Sequence, residues 1–167
     1  DKLILKDMTF NLRDGVSHIL FGPNGSGKTT LISTLIGLPG YEVVSGKILF
    51  NGKDITQKSV DERAKLGMAV SFQNPPEITG VKLRDLLKLC LGKTVDAEFS
   101  SEEQEQIDAF RLTGFLDRDI NLGFSGGERK RSEILQLMFL KPKLLLLDEP
   151  DSGVDVESLK LIASEIQ

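Results

Sequence analysis

The stretch "GPNGSGKTT" occupies Gly22 to Thr30, and its reading decides the fold. Glycine gives up more conformational freedom on folding than any other residue, so a cluster of it marks backbone that bends sharply or meets a ligand closely. Gly22, Gly27, Lys28 and Thr29 fit the spacing G-x-x-x-x-G-K-[ST], in which successive backbone N–H groups curl around a phosphate. A helix opening near Lys28 adds its positive end, and Lys28 adds a full charge. The Thr29 hydroxyl falls where Mg2+ can use it. Pro23, Asn24, Gly25, Ser26 and Thr30 complete the expected cradle.

The flanks fit such a loop. "VSHILF" (16–21) reads as a strand entering it, and "KTTLISTLIGL" (28–38) has helical spacing, with Leu31, Leu35 and Leu38 on one face and Pro39-Gly40 as the stop. "MTFNL" (8–12) alternates as a further strand closed by "RDG". "SGKILFNGKDI" (45–55) reads as one strand with a turn at each end, and "MAVSF" (68–72) as another. "VKLRDLLKLC" (81–90) then places Leu83, Leu86, Leu87 and Cys90 on one helical face. Ser100 followed by Glu103 predicts a capping box ahead of a second helix. The expected fold is therefore α/β, with a core over 1–74, an inserted helical subdomain over 75–123 and a return to the core over 124–167.

Bulk composition narrows the classes. The 167 residues suffice for one sizeable domain. With 21 Lys and Arg against 25 Asp and Glu, no nucleic-acid partner is expected. One cysteine allows no internal disulfide and suits a reducing, cytoplasmic setting. No run approaches the ~20 apolar residues that span a bilayer, so no direct membrane insertion is expected.

A phosphate loop calls for a carboxylate at the end of a buried strand. "LLLLDEP" supplies it: Asp148 to hold Mg2+ and Glu149 to position or deprotonate the attacking water. These two motifs predict binding of a nucleoside triphosphate. One stretch remains: "NLGFSGGERKR" (121–131), where Ser125 precedes Gly126 and Gly127 and a helix is expected from Glu128.

Taken together the motifs resemble the ATP-binding cassette (ABC) ATPases, in which the signature is usually Leu-Ser-Gly-Gly-Gln; Phe124 and Glu128 depart from it. The resemblance implies that Ser125, Gly126 and Gly127 bind the γ-phosphate of ATP held by a second subunit, in a transient head-to-tail, ATP-dependent homodimer. It also implies that Gln73 is the Q-loop glutamine, reaching Mg2+ or the attacking water, and that "DSGVD" (151–155) is the D-loop. The finer wording, in "SFQNPPEITGVK", "NLGFSGGERKRSEILQ" and "LLLLDEPDSGVD", resembles the SufC branch, the ATPases of SUF iron–sulfur cluster assembly. That branch implies SufB/SufD-like scaffold partners. Pro150 departs from it toward the ABC transporters, whose motor subunit is the alternative reading.

Other residues take plainer readings. His18 is structural, Cys90 belongs to the core, Tyr41 is no adenine platform, and Arg129-Lys130-Arg131 is a solvated helix face open to a neighbouring subunit. "SLKLIASEIQ" ends without a helix stop. The resemblance implies further strands beyond it, one bearing a switch histidine, so the sequence reads as part of a longer chain.

Overall fold

The computed structural model describes residues 3–72, 75–149, 151, 156 and 160. The chain divides into two compact units, Asp1–Met68 and Ala69–Gln167.

In the first unit, α1 (Lys28–Ile36) follows the glycine loop. It ends at Gly37 (φ 79°) rather than at Pro39-Gly40, because the Gly37 and Leu38 N–H groups fold back onto Ser33 and Thr34 carbonyls. The expected single strand over 45–55 is instead a hairpin, β1 (Leu49–Phe50) against β2 (Lys53–Asp54). Asn51 (φ 49°) and Gly52 (φ 75°) form its two-residue turn, the geometry that matches strand twist. A helix the sequence reading did not predict, α2 (Val60–Lys65), starts at the Ser59/Glu62 capping box. Its Arg63 is 3% exposed and ties α2 to α1. Arg63 Nη1 donates to the Thr34 and Leu35 carbonyls at 2.7 and 2.8 Å, Nη2 to Thr56 at 2.9 Å and Nε to Lys58 at 2.9 Å.

Residues 8–12 and 16–21 are not strands in this structure. A strand exists only through a partner ladder, and the described residues give these runs none: Ile19 is 77% and Phe21 87% exposed. The apolar alternation is present, but its pairing is not.

The second unit carries the larger core. β3 (Met68–Ser71) begins at the unit boundary and pairs with β6 (Leu144–Leu147), whose leucines are half-buried rather than fully buried. α3 (Leu83–Cys90) and α4 (Ser101–Ala109) match the expected helices, and Ser100 and Glu103 form the expected capping box. A strand pair lies among the helices where only helices were expected: β4 (Ile78–Lys82) antiparallel to β5 (Asp119–Ile120). The β-branched run "ITGV" carried that signal. α5 (Gly126–Leu140) packs on α3, and Leu83, Leu87, Ile107, Phe110, Leu112, Ile134 and Leu135 are each at most 1% exposed. Cys90 packs against this cluster, and burial pushes its thiol up to about 11, as its core reading requires.

Carboxylates pin several joints. The Gly80 N–H, then the Lys82 ammonium, hold the Asp119 carboxyl below its usual range. Burial acts to raise Glu103, but Lys93 and the Ser100 N–H prevail and lower it. The Ser59 N–H and Lys58 likewise lower Glu62. Groups depressed on folding stabilise the fold above their unfolded pKa and lose that contribution as pH falls through the folded one. The melting temperature is therefore expected to hold from neutral pH to about 5 and to fall steadily below about 4. Asp119→Asn should flatten part of the decline in a circular-dichroism melt series; an unchanged slope would show that the β4–β5 joint has no part in it.

Candidate functional site

The phosphate loop lies in the first unit; Ser125, Gly126, Gly127, Asp148 and Glu149 lie in the second. Within the loop, the Ser26 N–H donates to the Pro23 carbonyl at 3.2 Å, closing a turn over Pro23, Asn24 and Gly25. Gly25 (φ 79°) and Gly27 (φ 96°) take left-handed conformations that side chains resist. A Cβ on Gly27 would also sit 2.8 Å from Leu5 Cδ2. Lys28 Nζ reaches back to the Gly22 and Pro23 carbonyls at 2.8 and 3.2 Å, placing its charge across the loop.

α1 opens differently from the other helix starts. Gly27 offers no capping side chain, and no acidic residue lies in the first turn. The earliest N–H groups of an α-helix have no partner inside it, and here no side chain of the first turn or the cap takes them. Glycine curvature, open donors, the helix dipole and a lysine ammonium converge on one exposed loop. That donor set fits the phosphates of a nucleotide. Thr29 is exposed at the second helical position, where its hydroxyl is available to a divalent cation. His18, expected in a strand, lies in an exposed segment and accepts the Arg13 N–H at Nε2 (3.1 Å). That bond closes the turn at 13–18, in keeping with a structural role.

In the second unit the signature stretch forms the start of α5. The helix begins at Gly126, two residues earlier than expected. The cause is Ser125: its Oγ accepts the Glu128 N–H at 3.3 Å, and Glu128 Oε2 accepts the Ser125 N–H at 2.7 Å, a complete capping box. Gly126 and Gly127 are thus the first two helical residues rather than loop, and the end of the helix carries no side chain there. Phe124 is 4% exposed and meets Phe115 edge to face at 4.8 Å. The Arg118 guanidinium lies 5.1 Å from both ring centres and donates to the Leu122 and Gly123 carbonyls. The aromatic departure at 124 therefore packs against a cation that also steadies the approach to Ser125.

Asp148 and Glu149 follow β6 directly. Asp148 is half-buried and Glu149 exposed. Glu149 has φ 46°, so the chain has left strand geometry by that residue. Gln73 and the D-loop residues 152–155 lie outside the described residues.

The run 129–131 is not a solvated face. Lys130 is 3% exposed and Glu133 6%, paired at 2.9 Å. Lys130 Nζ also donates to Ser71 Oγ at 2.7 Å and to the Phe72 carbonyl at 3.1 Å. Glu133 accepts from Ser71 Oγ at 2.8 Å and from the Phe72 N–H at 2.5 Å. The sequence reading missed Glu133 entirely. Besides Lys130, its partners Ser71 and Phe72 lie 62 and 61 residues away in the chain, and no local pattern announces them.

Comparison with known proteins agrees with this geometry. The ABC transporter family profile matches residues 5–152. "Probable ATP-dependent transporter ycf16" of Pyropia yezoensis is 44% identical over 98% of this chain and 69% of its own length. "Probable ATP-dependent transporter SufC" of Escherichia coli K12 is 40% identical over 99% of this chain and 71% of its own. A solved ATP-binding subunit of an ABC transporter superposes with a TM-score of 0.70 at 25% identity, over 87% of this chain and 60% of that one. A nucleotide-free ATP-binding cassette superposes at 0.63 and 27%, over 86% and 62%. The chain thus spans about two thirds of these curated relatives and somewhat less of the solved ones.

Proposed function

Since this chain belongs to the ABC ATPase family, whose members hydrolyse ATP, we propose that it binds Mg-ATP at Gly22–Thr30 and hydrolyses it to drive a partner complex. The observation that carries the reading is the uncapped start of α1 with Lys28 drawn across the loop. Backbone N–H groups of residues 25–30 and the Lys28 ammonium bind the phosphates. The Thr29 hydroxyl and the Asp148 carboxylate would hold Mg2+, with Gln73 contributing from the Q-loop. The metal would supply charge neutralisation at the phosphates. Glu149 accepts a proton from the attacking water at its carboxylate, and Gln73 helps to position that water.

Ser125, Gly126 and Gly127 face the ATP of a second copy, so nucleotide assembles a head-to-tail homodimer. The functional division is core 1–74, helical subdomain 75–123 and returning segment 124–167. Likeness to the protein named SufC supports a cytoplasmic role beside a SufB/SufD-like iron–sulfur scaffold. Among the described residues no helix is long and apolar enough to cross a membrane. The second reading, motor of a membrane transporter, draws on the naming of the relatives as transporters and on Pro150. Affinity capture separates the two readings: recovery of SufB/SufD-like proteins supports the first, and recovery of a membrane permease replaces it with the second.

Lys28→Ala is expected to weaken ATP binding by roughly ten- to a hundred-fold, because the ammonium meets phosphate charge already present in the ground state. Fluorescent-nucleotide titration measures this. Wild-type affinity in Lys28→Ala would remove the phosphate-loop assignment.

A further inference from the structure

The two residues before Phe124 turn their carbonyls toward one side chain. Arg118 Nη2 donates to the Leu122 and Gly123 carbonyls at 3.2 and 3.3 Å. The same guanidinium lies 5.1 Å from the Phe115 and Phe124 ring centres, and the two rings meet edge to face. Gly123 (φ 66°) leaves room for it, since a Cβ there would come within 3.2 Å of Nη2. Ser125, the cap of α5, follows Phe124 directly.

The backbone of Arg118 is anchored as well as its tip. Its N–H donates to the Phe115 carbonyl at 3.0 Å, and its carbonyl accepts the N–H of Leu83, the first residue of α3, at 3.0 Å. The acids on either side are engaged elsewhere: Asp117 with Arg84 at 2.7 Å, Asp119 with Lys82 at 2.7 Å and with the Gly80 N–H at 3.0 Å. Among the described residues, the Arg118 guanidinium therefore meets carbonyls and rings and no carboxylate. An exposed arginine serving solubility alone needs none of these partners. A planar guanidinium stacks on aromatic faces while its N–H groups still donate, which an ammonium cannot match. Here both properties act on the chain entering Ser125.

We propose that Arg118 is a positioning residue for the signature. Held from α3 and clasped by Phe115 and Phe124, it fixes the Leu122 and Gly123 carbonyls. It thereby sets the direction in which Ser125 and the first turn of α5 face the nucleotide of a second copy. Arg118 touches no nucleotide itself; it acts through Ser125. Phe124, where the family signature usually has leucine, is the other half of the clasp rather than a neutral variation. The inference rests on the head-to-tail reading above. An ATP-dependent dimer of Glu149→Gln tests that reading by itself, and variants in that background test this one.

The experiment measures dimer affinity by sedimentation in the full-length Glu149→Gln protein with Mg-ATP. Arg118→Met keeps the length and apolar contact of the side chain and removes its charge and donors. It is expected to weaken the dimer about ten-fold. Fluorescent-nucleotide affinity should change less than about two-fold, because the phosphate loop is untouched. The melting temperature should stay within about 2 °C, as for other exposed substitutions. Arg118→Lys should recover only part of the loss, since an ammonium has no flat fork to lie between two rings and reach both carbonyls. Phe124→Leu should also weaken the dimer, and in the Arg118→Met background it should add almost nothing, because both act through one contact. Parental dimer affinity in either single variant, or independent losses in the Arg118→Met/Phe124→Leu protein, would overturn the inference alone. Absence of a dimer in the Glu149→Gln parent would remove the head-to-tail reading and this inference together.

Discussion

Glu149→Gln is expected to bind Mg-ATP with near wild-type affinity and to lose hydrolysis by about 10^2- to 10^4-fold, the range of general-base catalysis. The substitution keeps size and hydrogen-bonding capacity but removes the only property the reaction needs there, a carboxylate able to take a proton. The proposed ground-state phosphate contacts lie elsewhere, at Gly22–Thr30, so binding and turnover should separate. Blocked hydrolysis should also trap the nucleotide-bound dimer, visible by sedimentation velocity. Adding Ser125→Arg should abolish that dimer, because a bulky cation at the start of α5 removes the capping hydroxyl and obstructs the glycine face. Turnover near wild type in Glu149→Gln would move the general base to another residue. A persistent dimer in the double variant would end the signature assignment.

The second large effect concerns stability. Arg63→Met is expected to destabilise the first unit by about 3–5 kcal/mol, the scale for deleting a buried, fully hydrogen-bonded charge and stranding its acceptors. Four carbonyls lose a donor at once, and two of them, Thr34 and Leu35, belong to the last turn of α1. A cation there also complements the helix dipole. Burial pulls the Arg63 pKa down from its usual value, but guanidinium keeps its proton, where a lysine ammonium with three donors and no planar fork would serve the site less well. Arg63→Lys should therefore recover only part of the loss in urea unfolding. The nine residues of α1 rise roughly 13 Å, so loosening one end of the helix should also weaken nucleotide binding at the other. Unfolding free energies within about 1 kcal/mol of wild type would show that other contacts carry the α1–α2 joint.

What the sequence made legible follows from chain distance. The loop at Gly22–Thr30, the helix after it and the Ser100/Glu103 cap were readable because each is written within a few residues. The Asn51-Gly52 turn and the Ser59/Glu62 box are equally local, but the turn lies inside the run 45–55, whose alternation hides it, and the box precedes a helix of only six residues. Runs 8–12 and 16–21 carried the right alternation, yet a strand is a pairing, and nothing local says whether the pair is present. The Arg129-Lys130-Arg131 run misled for the opposite reason. Charge in sequence suggests solvent, and only the fold reveals that Ser71 and Phe72 come round to bury Lys130 and Glu133. Arg63 was invisible on the same ground, since Thr34 and Leu35 lie 29 and 28 residues before it.

The capping box at Ser125 has a further consequence. The family signature usually carries a neutral glutamine where this chain has Glu128. Its carboxylate accepts the Ser125 N–H at 2.7 Å, so the positive end of α5 already holds a resident anion on a one-turn tether. In the proposed head-to-tail dimer, a phosphate from a second copy would not fill an empty place; it would compete with a tethered rival whose local concentration never falls. The affinity across that proposed interface would then be a difference between two anions for one helix end. Whatever draws the Glu128 carboxylate aside tilts that exchange toward the nucleotide.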